Sequence, residues 1–378
     1  MLPDVPVRDV VLLGAGASMA AGFPAAGGLT DHLLRARRSL DSSRVSSRAL
    51  EAIDKDIAWL QNIQEGLRPI AGQLNGFNPK NIEDTFRVWG HEQSQPHSKI
   101  ELSGSPPKLI PGYQYPRLIR MLSLALAYCP LYPSADYMKR PNLYSWLVEQ
   151  LIGSADPDEQ GLCRTALVTT NYDLLIEFAV SANLDIDLTY CYSSSSDLRN
   201  IFAREQTARS VLHYMKLHGS INWWGKGSGF RVDKEVVRDT INSSSPLEVI
   251  AERYIDAGED IEMIPPAILK DVIYRANWSD VWDEAYTVFG TCRRLVIIGY
   301  SFSPGDVLVH NMVTLGLARS PYLESIVVID PDADGVLTRL KSYFTDAFVA
   351  GKRWIGYKQR FDNDTPLLAP PDLFLGAR

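Results

Sequence analysis

At 378 residues, with 46% apolar side chains and a formal charge of -7, the chain has the make-up of an ordinary folded protein of one large or two moderate domains. The acidic balance argues against broad, sequence-independent binding to nucleic acid or to an anionic membrane face, so no direct nucleic-acid contact and no membrane association are expected. Apolar runs such as Leu295 to Ile298 are far too short to span a bilayer, the first residues carry no charged-then-apolar leader, and a cytoplasmic protein is expected.

In chain order, the first strand, Asp9 to Leu13 with its apolar run from Val10, enters Gly14-Ala15-Gly16-Ala17-Ser18, a small-residue turn that lets backbone N–H groups approach a phosphate. A helix from about Gly28 to Arg38 follows, with Thr30 or Asp31 in its first turn. The third glycine of a dinucleotide fingerprint is replaced by Met19, and no acidic residue closes a second strand about twenty residues on, which weakens an ordinary dehydrogenase reading. From 41 to 152 the patterns at Ser47 to Leu67, Ile82 to Trp89, Arg117 to Tyr128 and Leu143 to Leu151 favour amphipathic helices, with an irregular loop at Gln93 to Gln114.

Strand signals return at Thr165 to Val168, Thr189 to Tyr192, Tyr214 to Leu217, Leu295 to Ile298 and Ser325 to Ile329, with helical patterns after most of them. Trp278 to Phe289 reads as the helix feeding the fourth of these. Gly225, Gly227 and Gly229 suggest a hairpin or a flexible turn within Trp223 to Ile264. The expected class is α/β: a Rossmann-like doubly wound parallel sheet from 1–40 and 160–350, a mostly helical insertion or small domain at 41–159, and an extension at 351–378 that is either a strand or an interaction arm.

The chemistry-bearing residues gather at strand ends, where open α/β sheets keep their sites. Thr169-Thr170-Asn171-Tyr172-Asp173 places four polar side chains where a helix cap needs one, although capping alone would explain Asp173. His218 ends the strand Tyr214 to Leu217, and Gly219 lets the chain turn sharply behind it. The following Gly-Ser-Ile-Asn-Trp-Trp reads as a loop able to close over a ligand. His213 falls on the other strand face and reads as structural. Gly299-Tyr300-Ser301 repeats the strand-into-small-turn arrangement, and Asp306 is explained by capping the next helix. Asp330 ends a buried strand in an acid, where a ribose diol finds an acceptor in nucleotide-binding sheets. Cys129, Cys163, Cys191 and Cys292 lie far apart without a C-x-x-C pair, so neither a zinc ribbon nor a disulfide framework is implied and no metal is expected.

The ordered set Gly-Ala-Gly-Ala-Ser, Gly22-Phe23-Pro24, Thr-Thr-Asn-Tyr-Asp, Leu-His-Gly, Gly-Tyr-Ser and Ile-Asp resembles the silent-information-regulator (sirtuin, Sir2-type) family, most closely its bacterial anti-phage branch. The resemblance implies NAD as substrate. It implies a pyrophosphate cradle at Gly14, Ala15, Gly16 and Ser18, with Pro24 and Thr170 beside the same ligand. Asn171 and Asp173 would lie by the nicotinamide ribose and carboxamide, Gly299 and Ser301 on the adenosine side, and Asp330 by the adenine ribose. His218 would be the base, and Asn171, His218 and Asp173 the catalytic set. Two departures shape the expected reaction. Deacylating sirtuins carry a four-cysteine zinc ribbon that this chain cannot build, and the arginine that follows Gly-x-Pro in many of them is missing here. Water is therefore favoured as acceptor over acyl-lysine. The resemblance further implies a HerA-like hexameric ATPase or a prokaryotic Argonaute as partner, and the long helical insertion offers surface for self-assembly, so a homo-oligomer is expected. A zinc-free deacylase and a non-catalytic NAD or ADP-ribose sensor are the alternatives.

Overall fold

The structure is a computed structural model. It describes residues 9–24, 28–71, 115–129, 142–153, 162–181, 186–190, 210–226, 229–233, 246–254, 260–264, 276–302 and 306–362, with isolated positions besides. The expected loop at Gln93 to Gln114, nearly all of the expected helix at Ile82 to Trp89, and 366–378 lie outside the described residues.

Seven strands form one sheet: β1 (Asp9–Leu13), β2 (Leu162–Thr169), β3 (Ile186–Thr189), β4 (Ser210–Lys216), β8 (Arg294–Ile298), β9 (Ser325–Ile329) and β10 (Arg353–Tyr357). The order across the sheet is β10-β9-β8-β1-β2-β4-β3, and every pairing is parallel. The reason is legible in the strands themselves. DVVLL and SIVVI are buried at each position, the mark of strands covered on both faces. The expected strand at Thr189 to Tyr192 sits three residues earlier, because Ile186 and Leu188 make the pairing with β4.

Register is flush where it matters. Leu13 pairs with Thr169 on one side and with Ile298 on the other, so β1, β2 and β8 end together. At the opposite edge Asp9 and Arg294, also paired across the ladder, form an ion pair at 2.7 Å that resists a slip of β1 against β8. The chain fills the sheet on the β2 side of β1 and then returns to its other side at β8. This reversal opens a crevice at the carboxyl ends of β1 and β8, the place where sheets of this type bind ligands.

The helices are α1 (Leu29–Ser39), α2 (Ser47–Ala71), α3 (Tyr115–Ala127), α4 (Leu143–Gly153), α5 (Leu175–Ser181), α6 (Pro246–Arg253), α7 (Ala276–Thr291), α8 (Val307–Arg319), α9 (Ala333–Lys341) and α10 (Asp346–Ala350). Among them α2, α3 and α4 come from the stretch expected to be helical. A 3-10 helix, Ala15–Ala21, stands between the glycine turn and α1 and closes on Gly22 in the left-handed region. Tyr144 of α4 donates to the Ala17 carbonyl at 2.9 Å, and Cys129 donates to that of Ala21, so helices remote in sequence brace this loop.

A second, three-stranded sheet consists of β5 (Gly219–Lys226), β6 (Gly229–Val232) and β7 (Asp260–Met263), with β5 in the middle and both pairings antiparallel. It corrects one expectation: Gly219 to Trp224 is no closing loop but the buried central strand of this sheet, with Trp223 fully enclosed. Ile221 and Trp223 alternate with Ser220 and Asn222, a strand period whose polar half is buried as well. The hairpin reading of Gly225 to Gly229 agrees with the β5–β6 pairing.

Candidate functional site

Three turns meet at the carboxyl edge of the large sheet. The first and third, after β1 and β8, are pressed together by glycine. The Gly14 amide donates to the Ile298 carbonyl at 3.0 Å and that of Gly16 to the Gly299 carbonyl at 2.9 Å. A Cβ on Gly299 would fall 2.3 Å from the Ala17 nitrogen, and its φ of +61° already lies where side chains are strained. The two glycines of the first turn thus serve the close approach of two strand ends. Ala15 in the first of these turns and Ser301 in the third are exposed.

The second turn, after β2, carries Asn171 and Asp173, both buried. Thr169 and Thr170 fix its start. The Thr169 hydroxyl donates to the Leu13 carbonyl at 3.2 Å and accepts from the Asn171 amide at 3.0 Å, and the Thr170 amide also donates to Leu13. The Asn171 side-chain nitrogen donates to the Gly14 carbonyl at 2.8 Å and to the Ser18 hydroxyl at 3.0 Å. Ser18 passes its own proton to Asp173 at 2.6 Å. Both amide hydrogens of Asn171 are therefore engaged, and what it can offer a substrate is its carbonyl oxygen, an acceptor. The second oxygen of Asp173 accepts from the Leu175 amide at 3.1 Å, so the capping role is realised while Asp173 also fixes Ser18. Beneath this turn Lys216, fully buried, donates to the Asp173 main-chain carbonyl and to Glu177 at 2.9 Å.

His218 lies in the tight turn between β4 and β5, where Gly219 takes φ +81° and sends the chain from the large sheet into the small one. The turn is held on several sides. The Leu217 amide donates to Thr169, the Trp282 indole donates to the Leu217 carbonyl at 3.0 Å, and the Ile264 amide donates to the His218 carbonyl at 2.8 Å. Tyr172 joins the two turns: its ring centroid lies 6.0 Å from that of His218, its hydroxyl donates to Ile264, and its carbonyl accepts from Ile221. His213, on the other strand face, is buried and its pKa is pushed down to about 3 by burial, in keeping with the structural reading.

Asp306 is the functional candidate that sequence reasoning missed. It stands at the cap position of α8, yet its side chain caps nothing. One carboxylate oxygen lies 3.4 Å from Nε2 of His218 and the other accepts from the Tyr300 hydroxyl at 2.9 Å. Burial works to raise its pKa, but His218, Tyr300 and His310 together outweigh burial and hold it below the usual carboxylate range. Further along the rim, Asp330 is half-buried and accepts from the Asp332 amide, and Arg339 donates to the Ser301 carbonyl at 3.0 Å. Pro24 is half-buried beyond the 3-10 helix and packs against Gly28, where an added Cβ would meet its ring at 2.9 Å. Among the described residues no group of three or more His, Cys, Asp or Glu could hold a metal ion, and no helix is long and apolar enough to cross a membrane.

Residues 165–348, from β2 through α10, match the family described as SIR2-like domain; the glycine turn after β1 lies outside the match. No curated protein matches the sequence significantly. Among solved structures the chain is similar to Sir2Tm bound to a propionylated peptide, at 11% identity and a TM-score of 0.36, over 94% of this chain and 89% of that one. It is also similar, at 12% identity and a TM-score of 0.33 over 94% and 90% of the two chains, to a structure concerned with the structural basis of sirtuin substrate affinity. Residues 165–348, just under half of the chain, thus carry a SIR2-like domain, which points to NAD-related chemistry of the sirtuin type.

Proposed function

We propose that the protein hydrolyses NAD to nicotinamide and ADP-ribose. The observation that carries this reading is the pairing of two buried polar groups of complementary use at one crevice: the acceptor oxygen of Asn171 and the imidazole of His218, linked through Tyr172 beside the glycine-joined ends of β1 and β8. In the reaction the bond from C1′ of the ribose to the nicotinamide nitrogen breaks, its electron pair leaving with nicotinamide. Water adds to C1′ and loses a proton. Asn171 orients the water or a ribose hydroxyl by accepting its hydrogen bond, and His218 takes the proton. Asp173 and Ser18 keep Asn171 in place.

The lack of a four-cysteine ribbon in the sequence favours water over an acylated peptide. A hydrolase of this kind drains its own cell unless controlled, which fits an anti-phage effector silenced until a partner or infection releases it. Assembly with itself, or with a HerA-like ATPase or an Argonaute, belongs to the same proposal.

Nicotinamide and ADP-ribose release from NAD by the purified chain, alone and with the products of neighbouring genes, tests it. Asn171→Ala and His218→Ala should each cut turnover by about 10²- to 10⁴-fold with the fold intact. Wild-type turnover in either folded variant overturns the assignment of that residue. Tight NAD binding without cleavage under every condition replaces the hydrolase with a sensor.

A further inference from the structure

We infer that Asp306 is the positioning residue for His218, fixing which imidazole nitrogen accepts the proton and stabilising the imidazolium that results. The inference rests on the hydrolase reading for its chemical use, but the pair itself is a property of the fold.

The geometry is specific. An Asp306 carboxylate oxygen lies 3.4 Å from Nε2 of His218, so in the neutral ring the carboxylate favours the hydrogen on that nitrogen. The other ring nitrogen, away from Asp306, is left unprotonated and is the one that can accept from water. The carboxylate is itself held, because the Tyr300 hydroxyl donates to its second oxygen. A cap residue ordinarily turns its side chain onto the free amides of its own helix, and Asp306 does not, although its main-chain carbonyl accepts the His310 amide in the first turn of α8. The backbone therefore uses Asp306 as a helix start, while the side chain crosses to a histidine on a different strand end.

Phe302 takes φ +53°, the one non-glycine residue in the left-handed region among the described residues, and is nonetheless fully enclosed. Its ring meets Tyr300 at 4.8 Å and His310 at 5.2 Å, which ties the end of β8 to the first turn of α8. Among the described residues, the groups facing His218 are few. Asp306 comes from the start of α8, Tyr300 acts through Asp306 from the end of β8, and the Tyr172 ring comes from the turn after β2. His310 of α8 acts on Asp306 rather than on His218 directly, and the nearby Lys216 is matched by Glu177 in contact.

As water attacks C1′, its proton goes to the free nitrogen of His218, the carboxylate of Asp306 balances the new positive charge, and the proton is then released to solvent. Asp306→Asn keeps a good cap residue and the shape while removing that charge. The hydrogen on Nε2 of the His218 ring, assigned by NMR through His218→Gln, should resonate far downfield in the wild type and move upfield in Asp306→Asn. Turnover should fall by about 10²- to 10⁴-fold, mainly in kcat. Asp306→Ser, another good cap residue, should give the same changes and serves if the amide variant folds poorly. An unmoved Nε2 hydrogen signal in the folded variants overturns the inference whether or not NAD is cleaved. A signal that moves while the wild type cleaves no NAD upholds the pair and removes the hydrolase reading instead.

Discussion

The two turns that carry the site are held in opposite ways. The turn after β2 is saturated from within: Asn171, Ser18 and Asp173 form a directed chain of hydrogen bonds, and Lys216 grips the carbonyl of Asp173 from below. The His218 turn is rigid in its backbone, but its imidazole meets one carboxylate and the flank of one ring. The first arrangement buries polar groups that all need partners, so disturbing it costs stability. The second leaves a ring nitrogen available, which a proton acceptor requires. A site for hydrolysis needs both, one part that cannot move and one that can change its protonation.

The largest effect should come from Lys216, the residue that serves both turns, since its main chain leads into His218 and its side chain holds the other turn. Burial raises the pKa of Glu177, partly offset by Lys216, and one oxygen of Glu177 is buried with no hydrogen-bond partner among the described residues. Lys216→Met would strand this carboxylate and the Asp173 carbonyl together. A loss of about 3–5 kcal/mol is expected, read by denaturant unfolding. A loss below about 1 kcal/mol would show that the pair is not what fixes the turn.

Ser18→Ala tests the saturated turn more gently. It removes one acceptor from Asn171 and one donor from Asp173, both buried, and should cost about 1–3 kcal/mol. Turnover should drop in the same variant, because Asn171 keeps only its bond to Gly14. Stability lost with turnover unchanged would separate the fold from the chemistry and leave Asn171 needing no second anchor.

Much of this could be read from residues alone, and the exceptions have physical causes. DVVLL, RLVII and SIVVI announce buried parallel strands because no polar position interrupts a face. Asn171 was visible because four polar side chains at one strand end exceed what capping needs, and His218 because a glycine follows it. Asp306 was hidden, since Ser-Pro-Gly-Asp ahead of an apolar helix is the signature of a cap, and only the fold shows the side chain facing elsewhere. The strand β5 was hidden for another reason. Ser220 and Asn222 look like loop residues, and nothing local reveals that they are buried too. Nothing local marks Lys216 either, since its partner Glu177 comes from a helix that follows a different strand.

The smallest stability effect should be at His218, and this sharpens the contrast between the two turns. Among the described residues its imidazole makes one polar contact, to a carboxylate that keeps Tyr300 and a share of solvent when the ring is gone, so His218→Ala should cost about 1 kcal/mol or less at neutral pH. The cost should also change with pH in a defined direction. Asp306 is held below its ordinary range in the folded protein despite burial, so the stability it contributes is present above its unfolded pKa near 3.8 and is lost as pH falls through the folded value. Removing His218 takes away the largest of the influences that lower it, leaving Tyr300 and His310 against burial. The folded pKa then rises, and the acid fall in stability should begin at higher pH in His218→Ala than in the wild type. Unfolding midpoints measured from pH 7 down to about pH 3 would show the two curves parting as acid is added. Curves that stay parallel throughout would mean that His218 and Asp306 do not sense each other's charge, and the difference between the two turns would then lie in their backbones alone.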